Sequence, residues 1–134
     1  MKARVKSYRI GSKRKRGDGL RIGTTRFLPR GVKKADYAKL GYFDVWLPTL
    51  APSRKLLKRY QTGVKAGDGA AWRRYAVAYK REMAATGARQ TIKMLAAVAR
   101  RTPISVGCYC DLAAQPCHRV LLEDMIRRAA AEQP

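Results

Sequence analysis

Carboxylate side chains are scarce in this sequence, which has nine Asp and Glu residues against thirty Lys and Arg, for a net charge of +21 over 134 residues. Histidine occurs once and cysteine three times. An odd number of cysteines, in a chain whose first residues lack the apolar core of a signal peptide, argues against a disulfide framework. No apolar run approaches the roughly 20 residues that span a bilayer. We therefore expect a cytoplasmic protein with reduced thiols.

The spacing of apolar residues predicts one α/β domain over residues 1–134. Strands are predicted at residues 2–10, 20–27, 43–47 and 104–110. Helices are predicted at 33–40, at 72–83, at 92–99 and from Pro116 to 131, and a further helix is predicted to begin after the N-cap residue Ser53. Gly87 is predicted to end the helix at 72–83. The last strand is apolar and nearly free of charge, as is typical of a central parallel strand covered by helices. We expect a mostly parallel central sheet flanked by helices.

Positive charge is concentrated in residues 1–40, which contain 14 basic and 2 acidic residues. Lys13, Arg14, Lys15 and Arg16 form a continuous basic run between the first two predicted strands, where neighbouring glycines favour an exposed loop. Such clusters attract phosphate polyanions. Nucleic acid is therefore the predicted partner, and a solvated basic surface is the alternative.

All three cysteines and the histidine fall within CYCDLAAQPCHR, residues 108–119. The segment has neither the Cys-x-x-Cys spacing of thioredoxin-like sites nor an Arg six positions after a Cys, as in cysteine phosphatases. Its spacing is also atypical of zinc sites, in which adjacent helical residues rarely bind one ion. Cys108 and Cys110 lie two apart on a predicted buried strand, so we expect them to act as small core residues.

The start of the last helix is the best candidate for chemistry. Cys117, His118 and Arg119 should lie at the carboxyl end of the sheet, where sites in α/β domains form. The unpaired N–H groups of a helix N-terminus either lower the pKa of a thiol or bind an anion. The alternative for His118 is a half-buried structural histidine that shares a helical face with apolar residues.

Several motifs resemble the domain-of-unknown-function 488 family: TRFLPRGVKK at 25–34, DVWLPTLAPS at 44–53, Trp72, YKREM at 79–83 and CHR at 117–119. The resemblance covers nearly the whole chain and implies a small α/β protein without an established activity. It points to site residues at Arg26, Pro29, Arg30, Gly31, Trp46, the Leu-Ala-Pro-Ser turn, Cys117, His118 and Arg119. The chain has Thr25 and Leu28 where the family usually has Asp and Trp, so a metal role for that Asp is not implied.

The first functional hypothesis is a nucleic-acid-binding protein that acts as a nuclease. Phosphates would be held by Arg26, Arg30, Arg119 and the basic run. His118 and Asp111, which resembles the acidic residue that often follows the final strand in the family, are the catalytic candidates. The sequence identifies no cofactor; a nuclease of this kind would use either a divalent metal ion held by carboxylates or a histidine acid/base.

The second hypothesis is a thiol-dependent enzyme or redox sensor that acts on a small anionic substrate. In it, Cys117 is the nucleophile, His118 the base and Arg119 the anion anchor. A third reading, a nucleic-acid-binding module without catalysis, fits the same charge distribution.

Overall fold

A computed structural model of the chain, which describes residues 2–110 and 115–134, contains one four-stranded parallel sheet. Its strands are β1 (Val5–Arg9), β2 (Leu20–Gly23), β3 (Val45–Trp46) and β4 (Ile104–Cys108). They are ordered β1-β4-β2-β3, and all three strand pairs are parallel. The predicted α/β domain with a parallel sheet is therefore confirmed. Every residue of β4 is buried, in agreement with its predicted central position.

Four α-helices are present in the described residues: α1 (Arg54–Lys65), α2 (Ala71–Met83), α3 (Thr86–Ala99) and α4 (His118–Ala131). Short 3-10 helices cover Lys34–Asp36 and Pro48–Leu50. The predicted cap of α1 is confirmed, since the Ser53 hydroxyl accepts a hydrogen bond from the backbone N–H of Leu56 and donates one to Glu82. None of the described helices is long and apolar enough to cross a membrane.

Several predicted boundaries are wrong, and the helix predicted at 33–40 is only a 3-10 helix at Lys34–Asp36. β2 ends at Gly23, after which the Thr25 hydroxyl bonds to the Phe27 carbonyl and supports a local turn. Gly87 does not end α2: that helix closes at Ala84, which has right-handed helical backbone angles, and Gly87 lies in the first turn of α3. The last helix begins at His118 instead of residue 116, so Cys117 is its N-cap.

The two faces of the sheet are covered differently. Val5, Ile22, Ile104 and Val106 face a large hydrophobic core to which all four helices contribute. On the opposite face, a smaller cluster is centred on Tyr8, Ile10 and Phe43, and none of its members belongs to α1–α4. Loops therefore cover this second face, and they bring polar and aromatic side chains against the strands.

On the loop-covered face, Tyr8 lies very close to β4. A Cβ atom added at Gly107 would be 2.4 Å from the ring carbon Cζ of Tyr8. The ring is held there, because its hydroxyl donates to the Tyr42 carbonyl at 2.6 Å and the Arg21 guanidinium lies 4.4 Å from its centroid. Only glycine therefore fits at position 107 without displacing the ring.

We expect Gly107→Ala to lower the free energy of unfolding by about 2 to 3 kcal/mol, as overpacking of a dense core does. Urea denaturation measures this effect. Gly87→Ala is the matched control, since no atom lies within 4 Å of its added Cβ and alanine favours a helix by up to about 1 kcal/mol. Equal unfolding free energies for the two variants would contradict the steric explanation.

Candidate functional site

A cavity of about 620 Å³ lies at the carboxyl ends of β1, β2 and β4. This is the edge of a parallel sheet at which α/β proteins form their sites. Its lining combines residues that follow the strands with residues from α1, α2 and the start of α4, among them Thr25, Arg26, Phe27, Arg30, Tyr42, Tyr60, Tyr75, Cys108, Tyr109, Cys110, Cys117 and His118. Aromatic rings, two arginines and three thiols therefore surround one space.

The three cysteines converge at this cavity. The Sγ atoms of Cys108 and Cys110 are 3.5 Å apart. The Sγ atoms of Cys108 and Cys117 and a ring nitrogen of His118 all lie within 4.8 Å of one another. Cys108 and Cys117 are buried, whereas Cys110 is half-buried. Cys108 thus belongs to the interior as expected, but Cys110 extends past the strand and lines the cavity.

His118 is buried and has a defined tautomer. Its Nε2 is 2.8 Å from the carbonyl oxygen of Thr24 and 3.2 Å from the Thr24 hydroxyl. Because a carbonyl oxygen only accepts, Nε2 carries the proton and Nδ1 keeps its lone pair. Nδ1 lies 3.4 Å from the Sγ of Cys117. Burial lowers the pKa of His118 to about 4, so the imidazole is neutral near pH 7.

The three thiols interact with one another, and these interactions give them different pKa values. Hydrogen bonds from Cys108 and Cys117, helped by the nearby positive charge of Arg119, hold the pKa of Cys110 well below the usual thiol value. The corresponding interactions with Cys108 and Cys110, together with burial, raise the pKa of Cys117. The expected helix-terminus effect at Cys117 is therefore outweighed, and the sulfur that ionises first belongs to Cys110.

The family of the chain follows from one comparison. A family model described as "DUF488-N3a: Active DUF488-N3 subclade" matches residues 5–130. The chain belongs to this family. The resemblance seen in the motifs is thereby confirmed over almost the full length. No curated protein and no solved structure matches the sequence.

Two family motifs of this DUF488-N3a protein meet beside the cavity. Arg26 follows β2 and donates to the carbonyl oxygens of Ala51 and Pro52, at 3.1 and 3.2 Å. The indole N–H of Trp46 donates to the Thr25 carbonyl at 2.8 Å. The motif after β2 and the Leu-Ala-Pro-Ser turn thus hold each other in place, and the half-buried Arg26 contributes to one wall.

The three arginines predicted to clamp phosphates occupy different environments in this DUF488-N3a protein. Arg30 is exposed and lines the cavity, and it has no ion pair within residues 2–110 and 115–134. Arg119 is buried, and its Nη1 donates to the Tyr8 and Cys108 carbonyls at 2.6 and 3.2 Å. Arg119 therefore braces the ends of β1 and β4 beneath the site, and Arg30 is the arginine accessible to a ligand.

The basic run lies outside the cavity. Arg14 is paired with Asp44, with two nitrogen–oxygen distances of 3.2 and 2.9 Å. The side chains of Lys13, Lys15 and Arg16 are exposed and form no ion pair in the described part of the chain. The predicted exposed basic loop is present, but it does not join Arg26 and Arg30 in one clamp. Asp111, the predicted catalytic carboxylate, lies outside the described residues.

Sequence reasoning missed two residues that organise the site. The Thr24 backbone orients His118. The hydroxyl of Tyr60, on α1, donates to the Pro116 carbonyl at 3.0 Å and so positions the residue before Cys117. Tyr60 is buried on α1, and no local sequence pattern shows that its hydroxyl reaches a residue 56 positions away.

Proposed function

We propose that this protein is a thiol-dependent enzyme that acts on a small anionic molecule in the cavity, with Cys110 as the nucleophile. The proposal is supported chiefly by one observation, the convergence of three sulfur atoms and the His118 imidazole beneath an open cavity at the strand ends. Thiolates at such positions are the common nucleophiles of cysteine enzymes. Cytoplasmic surroundings would keep the thiols reduced.

Cys110, and not Cys117, is the proposed nucleophile because its side chain is the more exposed of the two. Cys117 is 3% exposed, whereas Cys110 is half-buried and lines the cavity. The S–H groups of the two buried cysteines can donate to the Cys110 sulfur, and donors of this kind stabilise a thiolate. His118, with its Nδ1 lone pair directed at Cys117, is the proton acceptor closest to the buried part of the cluster.

The expected substrate is anionic and partly apolar. Arg30 brings an exposed guanidinium to the cavity, and Arg26 adds a second positive charge in its wall. The aromatic rings of Phe27, Tyr42 and Tyr109 supply flat apolar surface between them. Guanidinium groups bind carboxylates and phosphates through paired hydrogen bonds, so either group is a suitable substrate anion.

Alkylation of the folded protein tests this proposal. At neutral pH, we expect iodoacetamide to label Cys110 at least about tenfold faster than Cys108 or Cys117, because only an accessible thiolate reacts quickly. Anionic iodoacetate should gain a further rate advantage from Arg30, and Arg30→Gln should remove that advantage while leaving iodoacetamide labelling unchanged. Peptide mass spectrometry measures all three sites. Labelling of Cys110 that requires denaturation would disprove the proposal.

We infer a second candidate function, nucleic-acid binding, from a different surface. It is favoured by the net charge of +21 and by the exposed side chains of Lys13, Lys15 and Arg16, which form no ion pair with another described residue. Nuclease activity stays a separate prediction, since none of the described cavity-lining residues carries a carboxylate. A cleavage assay on DNA and RNA with Mg²⁺ or Mn²⁺ tests it, and intact substrates under binding conditions would reject it.

A further inference from the structure

The cysteine cluster has the composition and geometry of a ligand set for a thiophilic cation. We propose that Cys108, Cys110, Cys117 and the Nδ1 atom of His118 bind a divalent cation of the Zn²⁺ class. Three cysteines and one histidine are a standard tetrahedral set for Zn²⁺. The donor atoms of Cys108, Cys117 and His118 already lie within 4.8 Å of one another. This inference goes beyond the proposed enzyme function and does not depend on it.

The distances are close to those that coordination requires. With Zn–S bonds of about 2.3 Å, tetrahedral geometry separates two ligand sulfurs by roughly 3.8 Å. The Cys108 and Cys110 sulfurs are 3.5 Å apart, and the Cys117 sulfur is 3.4 Å from Nδ1 of His118. These two pairs of donor atoms therefore already lie near tetrahedral spacing.

Adjacent residues can serve here because of the backbone at the start of α4. Cys117 is the N-cap and is extended, with φ of −138° and ψ of 152°, whereas His118 is the first helical residue. The change from extended to helical backbone directs both side chains to one point. Adjacent residues within one helix rarely bind one ion, but Cys117 precedes the helix, so this restriction does not apply to Cys117 and His118.

His118 is oriented as metal-bound histidines usually are. Its Nε2–H donates to the Thr24 carbonyl at 2.8 Å, and the Thr24 hydroxyl is itself fixed by a 2.9 Å bond to the Gly107 carbonyl. Donation from the distal ring nitrogen to a backbone carbonyl is the common second contact of a ligating histidine, because it leaves the other nitrogen unprotonated toward the ion.

Cys110 connects the cluster with the cavity and so provides a route for the ion. It is the half-buried member of the set, whereas the other three ligands are buried. A bound cation would use the sulfur that the proposed enzyme uses as its nucleophile. The metal-loaded and reactive forms are therefore alternative states of one group of atoms.

Cobalt substitution provides the test. The full-length chain, reduced with a phosphine and freed of metal by a chelator, is titrated with Co²⁺. We expect one ion per chain, with intense thiolate-to-cobalt charge-transfer absorption and the visible bands of tetrahedral Co²⁺, and we expect Zn²⁺ to displace it. Cys117→Ser should weaken binding by on the order of 100-fold. Cys110→Ser should retain tetrahedral bands with weaker charge transfer.

Two measurements distinguish failure of the metal site from failure of the proposed enzyme function. Melting of each metal-free variant shows whether it is folded, and Zn²⁺ should slow alkylation of Cys110 only in the wild type. The metal inference is overturned if wild-type protein gives no charge-transfer band, or if folded Cys117→Ser gives the wild-type spectrum. Fast Cys110 alkylation without cobalt binding would reject the metal site alone, and cobalt binding with slow alkylation of the metal-free protein would reject the enzyme alone.

Discussion

Replacing Asp18 by Asn is expected to lower the free energy of unfolding by about 3 to 5 kcal/mol, the usual cost of leaving one member of a buried ion pair unpaired. Asp18 and Arg21 are 3% and 1% exposed. The Oδ2 atom of Asp18 accepts hydrogen bonds from Nη2 and Nε of Arg21, at 2.9 and 3.2 Å, and one from the Lys15 backbone at 2.8 Å. Asparagine keeps the shape but removes the negative charge.

The loss extends beyond the pair because Arg21 organises the loop-covered face. Its guanidinium also donates to the carbonyls of Ser12, Lys13 and Gly41. These three carbonyls belong to the loops that close over the sheet. In a chain with a net charge of +21, an unpaired buried guanidinium also repels many other charges. We therefore expect partial opening of the basic loop in Asp18→Asn.

Acid should weaken the wild type in the same way. Burial opposes ionisation of Asp18, but bonds from Lys6, Lys15 and Arg21 outweigh it and lower the pKa to about 2. The unfolded chain, with an ordinary pKa near 4, binds more protons than the folded one between those values. This contribution of about 2 kcal/mol is present above pH 4 and is lost as the pH falls toward 2.

Urea denaturation at several pH values measures both effects, and Asp124→Asn is the matched control. Asp124 pairs with Arg128 on the surface of α4, where the side chains are 56% and 77% exposed, so its loss should cost less than about 1 kcal/mol. Equal losses for Asp18→Asn and Asp124→Asn would contradict the buried-pair explanation.

Neutralising the exposed part of the basic loop should weaken nucleic-acid binding on the order of 100-fold at about 0.1 M salt, if each of three cations contacts a phosphate. The variant combines Lys13→Gln, Lys15→Gln and Arg16→Gln. The plot of log affinity against log salt should also become shallower by about 3 for duplex DNA. Fluorescence anisotropy over a series of salt concentrations measures both quantities.

A second triple variant distinguishes nucleic-acid binding at the basic loop from attraction by the overall net charge. Lys55, Lys58 and Lys65 are exposed on α1, and their replacement by Gln removes the same net charge. If the basic loop is the contact surface, this control should bind nearly as tightly as the wild type. Equal weakening by the two variants would reject the loop as a site and leave only the overall charge.

The strands and most helices were predictable because their signals are local. The apolar, uncharged segment 104–110 indicated a buried central strand, and Ser53 indicated a helix start. Gly87 was misread because glycine often ends helices, whereas here Ala84 closes α2 without a left-handed residue. The covering of one sheet face by loops was not predictable, since the buried Arg21 that holds them resembles an ordinary surface arginine.

The cysteine cluster could be located from the sequence but not assembled. The pattern correctly predicted a buried strand at Cys108 but extended it to Cys110, and the helix start correctly placed Cys117 near the sheet edge. Their convergence depends on where the start of α4 packs against the end of β4, and the orientation of His118 depends on Thr24, a partner 94 residues away. Neither contact is encoded in local periodicity, which is why the sequence pattern wrongly predicts that Cys110 is a core residue.

The strand order also determines when the sheet can form. β1 and β2 both pair with β4 and not with each other, so Val5 and Leu20 each find their partner at Ile104. These two strands therefore have no sheet partner at the centre until residues 104–108 are in place. Pairings of such long range slow folding, because the intervening chain must be ordered first. We therefore expect the strongly basic amino-terminal strands to become ordered at the centre of the sheet only when β4 is in place.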